Sequence, residues 1–244
     1  MKNRTIKSLT QLLAALRTDL KGHTDPVWYR GHSTQDWKLV PGFHRLTKPA
    51  SEKDCINKFR QNANLLVEQL PRTDFDWLFV MQHYGVPTRL LDWTESPLVG
   101  LYFAVAGHPK ADAALWVLKP IQLNMQTTAK ADEAKFIPSF EDDQLKNYST
   151  IAVEEGNLTG ILPIAVIATR NTARIQAQLG VFTIHHSTKT PVEAIGNTKH
   201  VAKYTIPASA KAKIKEDLWL LGFTKFQVFP ELASIGDNIR GALL

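Results

Sequence analysis

Between Gln82 and Pro97 the chain reads QHYGVPTRLLDWTESP and must change conformation three times. An amphipathic stretch ends at Gly85, where a left-handed cap is cheap only for glycine. Pro87 stiffens the turn that follows. Thr88 to Trp93 then reads as a short strand, with Arg89 and Leu91 on one face and Leu90 and Asp92 on the other. Thr94 to Pro97 turns into a new helix with proline in its first turn. Polar groups inside so apolar a frame are either the wall of a site or a core turn whose members satisfy one another. In the second case Asp92 caps the new helix and pairs with Arg30 or Arg89.

The neighbouring punctuation extends the pattern. Ser8 with Gln11 opens a helix carrying Leu12, Leu13, Leu16 and Leu20, and Gly22 stops it. Ser51 with Asp54 opens a second, carrying Cys55, Phe59, Leu66 and Leu70 up to Pro71. Thr73 with Asp76 opens a third, with Trp77, Val80 and Tyr84 inward. The helix from Ser96-Pro97 runs through Leu98, Leu101, Tyr102 and Val105 to Gly107. Gly100 inside it costs about 1 kcal/mol against alanine, which points to close packing against a neighbour. Strands are expected at Val27–Gly31, Ala114–Leu118, Ile164–Ala168, Val181–His185 and Val201–Ile206, with further helices over Ile214–Leu221 and from Pro230-Glu231. Helices dominate early and strands late, so the expected class is α+β: a helical N-terminal half packed on a mixed sheet. Residues 121–160 are polar and weakly periodic and read as an insertion or lid.

Composition narrows the function. No run approaches the roughly 18 apolar residues of a membrane span, and the charged start leads into an amphipathic stretch instead of a signal peptide. The single cysteine, Cys55, precludes an internal disulfide and fits a reducing compartment, so a cytoplasmic protein without membrane contact is expected. The net charge of +6, from 29 Lys+Arg against 23 Asp+Glu, admits an anionic ligand or a nucleic acid. Phosphate-loop, dinucleotide-turn and nucleophile-elbow motifs are absent. One cysteine and eight histidines without helical pair spacing disfavour a metal site.

Chemistry concentrates elsewhere. In WYRGHS (28–33) Arg30 ends an aromatic strand and presents a fork suited to phosphate or carboxylate, while Gly31 admits a ligand to the backbone. The alternative is an Arg30–Asp92 pair. In RIQAQLGVFTIHH (174–186) Arg174, Gln176 and Gln178 alternate on one face ahead of an aromatic strand. In LWLLGFTKFQVFPELASIGD (218–237) Glu231 falls in the first turn of a helix, where the dipole favours a carboxylate in any case.

Together, Tyr29-Arg30-Gly31, Gln82 to Thr94, Leu101 to Ala104 and Arg174 to Thr183 resemble the FRG-domain family, over residues 25–240 of what reads as one domain of 244. Tyr29 replaces the phenylalanine of the family name, and Tyr84 stands where a second histidine is common. The order of these segments is also similar, more weakly, to the ADP-ribosyltransferases. That resemblance implies a split-type mixed sheet and NAD as substrate. It gives Arg30 the NAD pyrophosphate and the aromatic residues the stacking of the nicotinamide, with Tyr29, Gly31, Arg89, Trp93, Thr94 and Arg174 as ligand-binding residues. Catalysis would use Arg30, Asp92, Gln178 and Glu231. Since Gln178 stands where a glutamate is wanted, Glu231 or Asp92 must supply the charge that stabilises the oxocarbenium-like ribose. The implied role is a toxin or anti-phage effector with a protein or nucleic-acid acceptor. The alternatives are a non-catalytic sensor of a nucleotide-like small molecule and a nucleic-acid-binding or -processing protein. His83 reads as a structural histidine of a last helical turn.

Overall fold

The computed structural model describes residues 2–48, 50–67, 70–128, 135–156, 158–170 and 172–243. Among them the strands are β1 (Lys2–Thr5), β2 (Trp28–His32), β3 (Leu90–Thr94), β4 (Ala113–Leu118), β5 (Ile164–Val166), β6 (Gly180–Ile184) and β7 (Val201–Ile206). The helices that position them are α1 (Leu9–Asp19), α2 (Glu52–Ala63), α3 (Asp74–His83), α4 (Pro97–Val105), α5 (Pro120–Thr127), α6 (Thr150–Glu155), α7 (Ala173–Ala177), α8 (Ala208–Leu220), α9 (Lys225–Val228) and α10 (Leu232–Leu243). The strands form one mixed sheet in the order β1-β7-β4-β2-β3-β6-β5, parallel only between β1 and β7. Helices and strands are thus interspersed along the chain, and the early half is less purely helical than the punctuation implied.

The sheet has a thin seam at its centre. β2 pairs with β4 through five residues, from Trp28–Leu118 to His32–Ala114, and β3 pairs with β6 from Leu90–Ile184 to Thr94–Gly180. Between β2 and β3 the ladder holds one pair, Tyr29–Thr94. Where the next rungs would be, the Arg30 side chain crosses the gap and its Nη1 donates to the Asp92 carbonyl at 2.6 Å.

Local chemistry explains the elements. Ser8, Ser51, Thr73 and Ser96 each accept from a first-turn backbone N–H, and Thr73 with Asp76 closes a full capping box. Gly22 and Gly85 take φ of 74° and 81°, ending α1 and the turn after α3. α4 lies against β2 so closely that a Cβ on Gly31 would sit 2.0 Å from the Gly100 carbonyl oxygen. Gly100 is the close-packing glycine its position suggested. At one sheet edge Asn124 of α5 both donates to and accepts from the backbone of Ala165, capping β5 as a strand would.

Several expectations fail for physical reasons. α2 ends at Ala63, short of Leu66 and Leu70, and residues 68–69 lie outside the described ones. Tyr84 is exposed, because it is the C-cap residue of α3 and its ring leaves the core-facing stripe. Arg174, Gln176 and Gln178 do not alternate on a strand. Thr172 caps Ile175 N–H and winds Ala173–Ala177 into α7, and Leu179, at φ 46°, turns the chain into β6. Within 121–160, residues 129–134 and 157 lie outside the described residues; α5, Leu145 and Tyr148 pack into the core. The described part of that segment is a buttress, and none of it lines the cavity described next.

Candidate functional site

A cavity of about 220 Å³ opens over the seam. That is smaller than the roughly 300–1,000 Å³ of pockets that bury a drug-sized ligand, a volume on the scale of a single ring or sugar. β2, β3 and β6 supply the floor; the ends of α3, α4 and α7 supply the walls. Phe79, Phe103 and Phe182, from three of these elements, make the surround largely aromatic.

Arg30 comes up through the seam. Its Nε donates to His32 Nε2 at 3.0 Å, and His32 Nδ1 faces the Trp37 carbonyl at 3.2 Å. A ring that accepts from arginine at one nitrogen must be neutral, and burial, then Arg30, hold His32 down to about 3. Burial also lowers the Arg30 guanidinium from its ordinary value, with nearby Asp92 acting in the opposite direction. Arg30 Nη2 has no hydrogen-bond partner among the described residues.

Asp92 is the exposed position of an otherwise buried strand. Its Oδ2 lies 3.8 Å from Arg30 Nη1, and Gln82 Nε2 donates to its Oδ1. Opposite, Arg174 lies over the Phe229 ring at 4.7 Å and 3.9 Å from Glu231 Oε1, and donates weakly to the His83 carbonyl. Gln178 donates its carboxamide to the Val228 carbonyl at 3.1 Å, tying α7 to α9.

The structure therefore brings Arg30, Asp92, Arg174 and Gln178 to one cavity from three distant stretches of chain. Glu231 does not line the cavity; it precedes α10 at the rim, joined to the site through Arg174. Tyr29 and Gly31 line the floor, but the Tyr29 ring is buried against α4, and the space beside Gly31 belongs to α4. Thr94 is a joint between strands: its hydroxyl donates to the Gln178 carbonyl and accepts from Ser96 N–H. The Trp93 indole donates to Thr183 Oγ1 and its ring packs with Trp28 and Leu91.

Arg89 is not at this cavity. It is fully buried, with Nε on Glu52 at 2.6 Å, Nη1 on the His185 carbonyl and Nη2 on the Tyr148 carbonyl. Its alternation face points at α2, and Glu52 claims the guanidinium that a ligand was expected to use.

Besides the phenylalanines, two polar cavity residues escaped the sequence reading. His83 lines the cavity half-buried, and burial first, then Arg174, lower its pKa, while Glu231 acts in the other direction. Gln82 is the second. The available signal was position: both sit in the last turn before the Gly85 cap, aimed at the strand that follows.

No curated protein and no solved structure matches the chain. The family model of the FRG domain matches residues 25–113, the stretch that holds β2, α2, α3, β3 and α4 and with them Arg30, Gln82 and Asp92: the chain carries an FRG domain.

Proposed function

We propose that the cavity takes the nicotinamide end of NAD and that the protein consumes it, as an ADP-ribosyltransferase or NAD glycohydrolase acting as a toxin or anti-phage effector. The observation that carries this is the meeting of a cationic fork, a carboxylate and an aromatic surround at one small cavity over the sheet seam. A thin central seam with an arginine at it is also in keeping with the split-sheet type of the ADP-ribosyltransferases. Arg30, with Nη2 unengaged by its neighbours, serves the pyrophosphate; fork geometry suits phosphate oxygens. Phe79 and Phe103 receive the nicotinamide ring. As the C1′–N bond breaks, its electron pair leaves with nicotinamide and positive charge develops on the ribose. The Asp92 carboxylate stabilises that charge. An acceptor O–H or water then bonds to C1′ and releases its proton.

Purified protein incubated with NAD tests this by nicotinamide release, and by transfer of labelled ADP-ribose to candidate acceptors. The expected result is release lowered about a thousandfold by Asp92→Asn, with a residual rate that can still be measured.

One observation favours a second reading, a sensor that binds a nucleotide-like molecule without consuming it. Gln178 carries no charge and Glu231 stands outside the cavity beside Arg174, which leaves Asp92, itself held by Gln82, as the carboxylate among the described lining residues. Saturable NAD binding without nicotinamide release selects the sensor; absence of NAD binding removes both readings.

A further inference from the structure

We infer that Gln82 is a positioning residue of this cavity, which sets the Asp92 carboxylate against whatever the cavity binds. The role in turnover rests on the NAD reading above; the pairing itself does not.

Asp92 projects from β3 with its side chain 59% exposed, so core packing does not set its rotamer. Ordering comes from a short relay. Leu90 N–H donates to Thr88 Oγ1 at 3.2 Å, and the Thr88 hydroxyl donates to Gln82 Oε1. Gln82 Nε2 then donates to Asp92 Oδ1 at 2.5 Å. The Asp92 end fixes the direction of this chain by chemistry alone. A carboxylate can only accept, so the amide must turn its NH₂ toward Asp92. Once the amide oxygen is turned to Thr88, the hydroxyl can only donate to it. The flipped amide would set oxygen against oxygen at Asp92. With Oδ1 held from the α3 side, Oδ2 is left on the Arg30 side, at 3.8 Å.

The relay also joins elements. Gln82 lies in the last turn of α3, Thr88 in the following turn and Asp92 in β3, so the helix end and the strand are locked at the point where the seam opens. Glutamine suits the task because it accepts at one end and donates at the other. Glutamate keeps its length and volume but cannot donate to Asp92.

That difference supplies the test, in the full chain. Gln82→Ala is expected to lower kcat for nicotinamide release about tenfold with little change in KM, as loss of a charge-assisted hydrogen bond predicts. Gln82→Glu is expected to lower it further, to about a hundredfold, by placing a second carboxylate against the first. A packing role predicts the opposite order, because glutamate fills the space and alanine does not. In an Asp92→Ala background neither change is expected to matter beyond about twofold. A kcat for Gln82→Glu equal to the parent, or effects of Gln82 and Asp92 changes that multiply independently, would overturn the assignment. If the parent protein does not release nicotinamide, whether or not it binds NAD, the role in turnover falls and the pairing is judged by ¹⁵N–¹H spectra. Asp92→Ala must then shift the Gln82 side-chain amide signals; unmoved signals refute it.

Discussion

Every nitrogen of the Arg89 guanidinium has a protein acceptor, whereas Arg30 keeps Nη2 unengaged by described residues; the two arginines therefore answer to different tests. Arg89→Ala strands Glu52 and two carbonyls in the interior, and loss of a buried pair of this kind costs about 3–5 kcal/mol. Arg30→Ala leaves the Asp92 carbonyl short of a donor at a half-open site, for about 1–3 kcal/mol, while NAD binding is expected to disappear. Urea unfolding and calorimetric titration of both variants separate them. A stable Arg89→Ala variant that has lost NAD binding would reverse the assignment. The sequence could not distinguish these arginines, since Glu52 lies 37 positions before Arg89 and nothing local announces it. Behind Arg89 lies a second consequence of burial. His44 and His185 meet edge to face at 5.7 Å, and both ring nitrogens of His185 lack partners among the described residues. Burial lowers His44 to about 4, with Arg89 and Lys189 adding to it; burial, then His44 and Arg89, take His185 well below its ordinary value; His186 shifts the same way. Unfolded histidine titrates near 6.5, so below that pH the unfolded chain binds protons that the fold refuses. Stability is thus full above about pH 6.5 and falls toward pH 4, each histidine steepening the slope by up to about 1.4 kcal/mol per pH unit. His185→Phe keeps the aromatic edge and drops the orphaned nitrogens. It is expected to stabilise the fold at pH 5 and flatten the slope; an unchanged slope in urea titrations from pH 7.5 to 4.5 would count against this.

Among the elements, helix starts were legible because a cap is a local event: the serines and threonine at 8, 51, 73 and 96 bond residues three further on. α7 was not, because Arg174, Gln176 and the C-cap Gln178, at alternate positions, fit a strand period as well as a single helical turn. β1 was missed for a related reason. Its residues are all exposed, and pairing with β7 carries no apolar signature. The contact most open to test is α4 on β2. A Cβ on Gly31 would meet two backbone groups, the Gly100 oxygen at 2.0 Å and Ala104 N at 2.4 Å, whereas one on Gly100 would meet side-chain carbons, the Leu115 Cδ1 end at 2.8 Å and Tyr29 Cβ at 3.0 Å. Backbone cannot step aside and a leucine tip can. Gly31→Ala is therefore expected to prevent stable folding or lower Tm by about 10 °C or more. Gly100→Ala should cost about 1–3 kcal/mol, the usual range for overpacking. Thermal scans of both decide it, and equal Tm values would remove the claim that Gly31 is reserved for the helix instead of for a ligand.

At the scale of the molecule, the stretch matched by the FRG model and the unit that can fold are different things. Residues 25–113 hold β2 and β3, but β2 pairs along its length with residues 114–118 of β4, and β3 with β6 at 180–184. Within the matched stretch those two strands share one rung, Tyr29–Thr94, and a two-stranded contact is marginal even when fully paired. The Arg89 cluster also loses two of its acceptors, the carbonyls of Tyr148 and His185. Arg174 and Gln178, which wall the cavity, lie beyond residue 113 as well. The sequence displayed the signature strongly because its glycines, proline and caps are local. The partners that make it a site are distant and are recruited by sheet pairing, which leaves little trace in any one segment. A fragment of residues 25–113 is accordingly expected to lack a cooperative thermal transition and a dispersed amide spectrum, and to bind no NAD. The 244-residue chain should show both folding signatures under the same conditions. A folded, NAD-binding fragment would mean that β2 and β3 close their seam without β4 and β6, and that the α7 wall is dispensable.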